Sequence, residues 1–176
     1  FIDDLNKDYI DSLKNDVAII YRNYKEKLKI KKLIDFNNHC KKKKKYFYLA
    51  NYPKIAIKLS LNGVYIPSFN KVKNFNFLSK PNNFLIIGSA HSRTEIKLKE
   101  DQGCNLIFLA PTFKVNKKIG FLGINKFNLL TMNSKSVFIA LGGINQKNLK
   151  KLKLLNCEGF AGISWIKKTA QKINFG

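Results

Sequence analysis

The chain has 176 residues, 45% of them hydrophobic, which is enough to fill a sizeable core and excludes wholesale disorder. No apolar run approaches the ~20 residues of a membrane-spanning helix. The three cysteines, Cys40, Cys104 and Cys157, lack CxxC or CxxxH spacing, which disfavours a disulfide scaffold or a zinc site and suits a reducing cytoplasm.

The formal charge of +22 suggests an anionic partner: nucleic acid, an acidic membrane surface or a phosphorylated substrate. Of 33 basic residues, however, only Arg22 and Arg93 are arginine, the side chain that phosphate and base readers favour for its planar fork. A bias toward Lys, Asn, Ile and Phe is also what an AT-rich coding sequence yields whatever the function. The opening Phe1-Ile2-Asp3-Asp4 resembles neither a signal peptide nor a translation start, and an upstream segment is expected.

In chain order, short β-rich runs are predicted at residues 1–3, 17–22, 46–51, 63–66, 84–88, 106–109, 137–141 and 159–163. Helical patterns separate them, such as residues 28–40 and 146–155, where Leu149, Leu152 and Leu155 recur with lysines opposite. Several runs are apolar throughout, 137–141 most clearly, as expected of parallel strands covered on both faces. The run Lys41–Lys45 reads as a solvated helix end complementing the C-terminal dipole, in preference to a nucleic-acid patch. Eight strand–helix units favour a small (β/α)8 TIM barrel, formed by residues 1–176 as a single domain. Residues 67–81 are poor in helical pattern, so the fourth crossover is expected to be reduced to a loop.

Four segments carry candidate chemistry. Ile139-Ala140-Leu141-Gly142-Gly143-Ile144-Asn145 runs an apolar strand into a Gly-Gly turn before a helix start, a place where backbone N–H groups can meet an anion. Ala161-Gly162-Ile163-Ser164 supplies a second small-residue loop and a hydroxyl, and the pair suits a phosphate socket at the late barrel units. A plain tight turn is the competing reading. In Gly88-Ser89-Ala90-His91-Ser92, Ser92 is expected to cap a helix starting at Arg93, with Glu95 closing a capping box, leaving Ser89 for ligand contact. Lys117 and Lys118, after Pro111-Thr112-Phe113, form a basic loop able to clamp pyrophosphate or simply to face solvent. Arg22, at the end of a buried strand, requires an anion from a ligand or a partner carboxylate.

Together these segments resemble the thiamine-phosphate synthase/TenI family of small barrels. The resemblance lies in Gly63-Val64-Tyr65-Ile66, Ser89-Ala90-His91-Ser92, Gly103-Cys104-Asn105 through Pro111-Thr112-Phe113, Gly142-Gly143-Ile144, and Asn156-Cys157-Glu158-Gly159 through Ile163-Ser164. It implies a transferase that joins a hydroxymethylpyrimidine diphosphate to a thiazole phosphate and releases pyrophosphate, with magnesium on the diphosphate. It assigns Arg22, Ser89 and Lys118 to catalysis, and Gly142, Gly143, Ile163 and Ser164 to the thiazole phosphate. Asn51 and Asn70 stand where the family has its metal-binding aspartates. Ile20 and Tyr24 replace a usual glutamine and lysine. The implied partners are these small substrates, and self-association is left open. A barrel that binds nucleic acid through its lysines is the less favoured reading, because no stacking platform or groove-reading helix is apparent, and no membrane partner is expected. The alternative within the resemblance is a TenI-like protein that binds or tautomerises thiazole phosphate. The histidine that such tautomerases use is replaced here by Pro111.

Overall fold

A computed structural model describes residues 1–14, 16–73, 79–116 and 119–162. The chain forms two compact units; among the described residues one holds 1–65 and 80–84, the other 66–73, 79 and 85–162.

The first unit contains α1 (Lys7–Asp11), β1 (Ile19–Tyr21), α2 (Ile30–Lys42), β2 (Phe47–Ala50), α3 (Pro53–Lys58) and all but the last residue of β3 (Gly63–Ile66). Its strands pair in parallel, with Tyr21 opposite Leu49 and Ala50 opposite Tyr65. In α2 the buried residues Leu33, Phe36, Asn37 and Cys40 make one helical face, and Phe36 meets Phe47 edge-on at 5.1 Å. Phe47 and Leu49 therefore point toward α2. Alternation sends Ile20, Tyr48, Ala50 and Tyr65 to the opposite face of the strands.

The second unit contains β4 (Leu85–Ala90), α4 (Arg93–Asp101), β5 (Leu106–Leu109), α5 (Gly123–Thr131), β6 (Val137–Leu141), a 3-10 helix (Leu149–Leu154) and β7 (Gly159–Ala161). All four strands are parallel. In register, Gly88, Ile107 and Phe138 share the face that α4 covers, and Ser89, Phe108 and Ile139 share the other. Ile107, Leu109 and Ala140 are completely buried on the helix side.

The alternating α/β architecture with parallel strands agrees with the sequence expectation. Several details differ. Seven strands are described rather than eight, because residues 1–3 contribute only an isolated bridge from Ile2 to Tyr21. The expected 146–155 helix is a 3-10 turn. Its leucines recur every three residues, which matches three residues per turn better than 3.6. Val137–Leu141 is not covered on both faces: Val137 is exposed, while Ile139 and Leu141 are half-buried. The lysine run is not wholly solvated either. Lys45 is buried and donates to the carbonyls of Leu13 and Lys14, both at 2.8 Å. Residues 67–73 and 79–84 carry no helix, and residues 74–78 of the expected reduced crossover lie outside the described residues. No helix among the described residues is long and apolar enough to cross a membrane.

Candidate active-site residues at the strand ends

In the first unit, Arg22 directly follows β1, and its N–H donates to the Ile2 carbonyl at 2.8 Å. Continued alternation puts its side chain on the face of Ile20 and Tyr65. There its guanidinium lies 4.8 Å above the Phe1 ring, which in turn meets the Tyr65 ring edge-on at 5.1 Å. Among the described residues no carboxylate pairs with Arg22. The half-buried cation is thus stabilised by an aromatic face and presents its donors without a fixed counter-charge. Asn51 follows β2 at φ 66°, a left-handed conformation that asparagine tolerates, and its N–H donates to the Tyr65 carbonyl at 2.8 Å.

In the second unit, Ser89 lies inside β4 rather than in the loop after it, since that strand extends to Ala90. It is 5% exposed and faces away from α4, beside Phe108. Ser92 caps α4 by accepting the Glu95 N–H at 3.3 Å. The Glu95 carboxylate reaches back one residue further than a capping box requires, to the His91 N–H at 2.7 Å. The His91 Nδ1 lies 2.6 Å from the Ala110 carbonyl. Because a carbonyl only accepts, Nδ1 carries a proton, and in the neutral ring Nε2 is then the acceptor.

Gly142 and Gly143 follow β6 with φ of 92° and 72°. A Cβ on Gly143 would stand 2.4 Å from the Phe113 carbonyl oxygen, so close approach of the loop after β5 already requires this glycine. The two loops are joined by Thr112 N–H to the Leu141 carbonyl at 2.8 Å and Phe113 N–H to the Gly142 carbonyl at 3.0 Å. Thr112, fully buried, adds a hydroxyl that bonds the carbonyls of Leu109 and Leu141 and accepts the Leu141 N–H. The Gly143 carbonyl is taken by the side-chain amides of Asn145 and Asn148. The expected α-helix start after Gly-Gly is not there; Asn145 and Asn148 form side-chain-bonded turns instead. Lys117, Lys118, Ile163 and Ser164 lie outside the described residues.

Magnesium, the ion implied by the resemblance, is poorly matched by these donors. Asn51 and Asn70 offer neutral amides where a hard cation favours carboxylates, and the Asn70 Oδ1 accepts the Val72 N–H at 3.0 Å. Among the described residues no three His, Cys, Asp or Glu side chains gather into a metal-holding group. Thiol chemistry is equally unsupported. Burial pushes Cys40 up to about 11 and Cys104 up to about 12, so neither forms a thiolate near neutrality.

In parallel α/β folds ligands bind at the carboxyl ends of the strands, where Arg22 and Asn51 stand in the first unit and Gly142 and Gly143 in the second. The sequence profile of the thiamine monophosphate synthase family, which includes TenI, matches residues 10–166, and the chain belongs to that family. It is similar to the thiamine-phosphate synthase of Prochlorococcus marinus subsp. pastoris, with 33% identity over 153 residues, covering 80% of this chain and 42% of the relative. It is also similar to the thiamine-phosphate synthase of Methanococcus vannielii, 33% identical over 85 residues, covering 47% of this chain and 41% of that one. The chain thus spans about two fifths of the length of these curated relatives. In fold it resembles thiamine phosphate pyrophosphorylase from Pyrococcus furiosus, with a TM-score of 0.64 and 14% identity, covering 96% of this chain and 85% of that structure.

Sequence reasoning missed the Phe1 platform under Arg22, the Thr112 junction and the Lys99–Gln102 pair described below. Only Lys99 left a signal in the sequence: it falls three residues after the buried Ile96, on the core face of α4.

Proposed function

We propose that this chain is a thiamine-phosphate synthase that couples 4-amino-2-methyl-5-hydroxymethylpyrimidine diphosphate to 4-methyl-5-(2-phosphooxyethyl)thiazole. The carbon–oxygen bond to the diphosphate breaks, pyrophosphate leaves with the bonding pair, and the thiazole nitrogen attacks the resulting pyrimidinylmethyl cation. The chain's own contribution is positioning and charge stabilisation. Arg22 and Lys118 serve as counter-charges to the departing pyrophosphate, with Ser89 donating a hydrogen bond to it. Gly142, Gly143, Ile163 and Ser164 hold the thiazole phosphate. We further propose a closed (β/α)8 barrel with a reduced fourth crossover, acting in the cytoplasm.

The observation that carries this reading is Arg22 in a chain of this family: a half-buried guanidinium at a strand end, seated on Phe1 with no carboxylate partner among the described residues. The test is an assay of the purified chain with both substrates and magnesium, reading thiamine phosphate and pyrophosphate in equal amounts. No product at high enzyme concentration overturns the synthase reading. Calorimetry with each substrate alone then distinguishes a TenI-like binder, which would take thiazole phosphate and leave the pyrimidine diphosphate unbound.

A further inference from the structure

The loop after β3 rests on a buried cation. Lys99 on α4 is 0% exposed, and its Nζ donates to the carbonyls of Pro67 at 2.8 Å and Asn70 at 2.9 Å, and to the Gln102 Oε1 at 2.8 Å. Three ammonium protons thus meet three oxygens, the full donor capacity of the group. Gln102 is 1% exposed, and its Nε2 donates to the Asn70 carbonyl at 3.0 Å and the Val72 carbonyl at 2.7 Å. Two side chains of one helix therefore grip three carbonyls of a single short loop.

The path of the lysine is built into the strand beneath it. A Cβ on Gly88 would lie 3.0 Å from the Cγ and Cδ of Lys99, so a bare backbone at that position makes room for the stem. With no exposure and every proton engaged, this amine is not placed to act as a nucleophile. Its geometry is that of a fixed charge.

The loop it grips has its own internal order. The Asn70 N–H donates to the Pro67 carbonyl at 3.1 Å, and the Val72 N–H to the Asn70 Oδ1 at 3.0 Å. These two bonds fold residues 67–72 into a turn with the Asn70 carbonyl directed at Lys99 and Gln102. Asn70 is also the position at which the family places a metal-binding aspartate.

We propose that Lys99, seconded by Gln102, is a positioning residue that fixes the 67–72 loop for the pyrimidine diphosphate, so that the loop is ordered by an ammonium belonging to the protein and not by a divalent metal. The order of the loop stands on the geometry alone; its service to the diphosphate rests on the synthase reading.

Amide hydrogen exchange tests the loop in the wild type, Lys99→Met and Gln102→Leu, each in EDTA and in millimolar magnesium chloride. Exchange at Asn70 and Val72 should quicken at least tenfold in both variants, with the β5 and β6 amides within twofold of wild type and no effect of magnesium. Unchanged protection in the variants overturns the proposal, as does protection in the wild type that appears only with magnesium. If Lys99→Met does not fold, Gln102→Leu decides. Kinetics supply the second arm: KM for the pyrimidine diphosphate should rise at least tenfold, with kcat and the thiazole phosphate KM within twofold. An equal loss in both KM values and kcat overturns the positioning role. A wild type that makes no thiamine phosphate overturns the synthase reading and with it the loop's service to the diphosphate, and the exchange arm still decides loop order.

Discussion

Lys99 crosses β4 directly over Gly88, with 3.0 Å between its Cγ and Cδ and the place a Cβ on Gly88 would take. The same Cβ would also stand 3.0 Å from the Cys104 Sγ. Overpacking of this kind costs about 1–3 kcal/mol, so Gly88→Ala should destabilise the protein by about that amount in urea denaturation. Cys104→Ala removes the sulfur contact, and the double variant should be more stable than the sum of the two single changes predicts. Strict additivity would mean that Gly88 is not spacing these side chains.

Burial pushes the Lys99 pKa down to about 8 from 10.5, with the neighbouring Cys104 and Glu95 pulling it the other way. Below pH 8 the group is protonated folded and unfolded, and the native state bears the full cost of burying the charge. Between pH 8 and 10.5 the unfolded chain binds more protons, so this contribution to stability rises with pH. Cys40 and Cys104 act oppositely above pH 9, because their thiols ionise first in the unfolded chain. Their effect is largely common to wild type and Lys99→Met and drops out of the comparison. The stability of wild type relative to Lys99→Met should therefore increase from pH 8 to pH 10, by on the order of 2 kcal/mol, measured by chemical denaturation at each pH. A flat or falling difference would show that burial does not lower the Lys99 pKa.

Two glycines separate backbone conformation from close approach. Gly120 has φ 85° and nothing within 4 Å of an added Cβ, so Gly120→Ala should cost only the left-handed penalty, about 1–2 kcal/mol. Gly143 has φ 72°, and an added Cβ would meet the Phe113 carbonyl oxygen at 2.4 Å. Gly143→Ala should bear the same penalty and also force the loops after β5 and β6 apart. It should therefore lose at least about 1 kcal/mol more than Gly120→Ala, with the excess visible as faster exchange at the Thr112 and Phe113 amides. Equal losses would show that the two loops separate without cost.

The strands are legible as short apolar β-rich runs: Gly63–Ile66 and Leu106–Leu109 stand where the pattern places them and are largely buried, and Val137–Leu141 does so although Val137 is exposed. The cap at Ser92 was legible for the same kind of local reason. What escaped the sequence depends on distant partners. Lys45 looks like any of the lysines in a chain of charge +22, and the spacing of Lys99 from Ile96 marks its helix face without naming its partners; both are buried, each bonded to carbonyls about thirty residues away. Phe1 gives no hint of its place under Arg22, 21 positions on. The Gly-Gly turn reads from sequence as a phosphate socket with a plain tight turn as the competing reading, and the close approach that requires Gly143 is to the Phe113 carbonyl.

Arg22 offers the sharpest test of the proposed chemistry, because its two partners make different demands. Stacking on Phe1 needs a flat cation, whereas binding pyrophosphate needs charge and a forked donor. Arg22→Gln removes the charge and should lower kcat/KM for the pyrimidine diphosphate by about a hundredfold, equivalent to about 2.7 kcal/mol of transition-state stabilisation. Arg22→Lys keeps the charge without the fork and should recover about a tenth of the wild-type value. The thiazole phosphate KM should stay within twofold in both, since that substrate's phosphate is assigned to the late glycine turns. Phe1→Leu leaves the guanidinium in place but removes the ring beneath it, which costs about 0.5–1 kcal/mol, and should lower kcat/KM only two- to fivefold. If Arg22→Gln retained wild-type kcat/KM, the half-buried guanidinium would be a structural cation stabilised by Phe1, and the departing pyrophosphate would need another counter-charge.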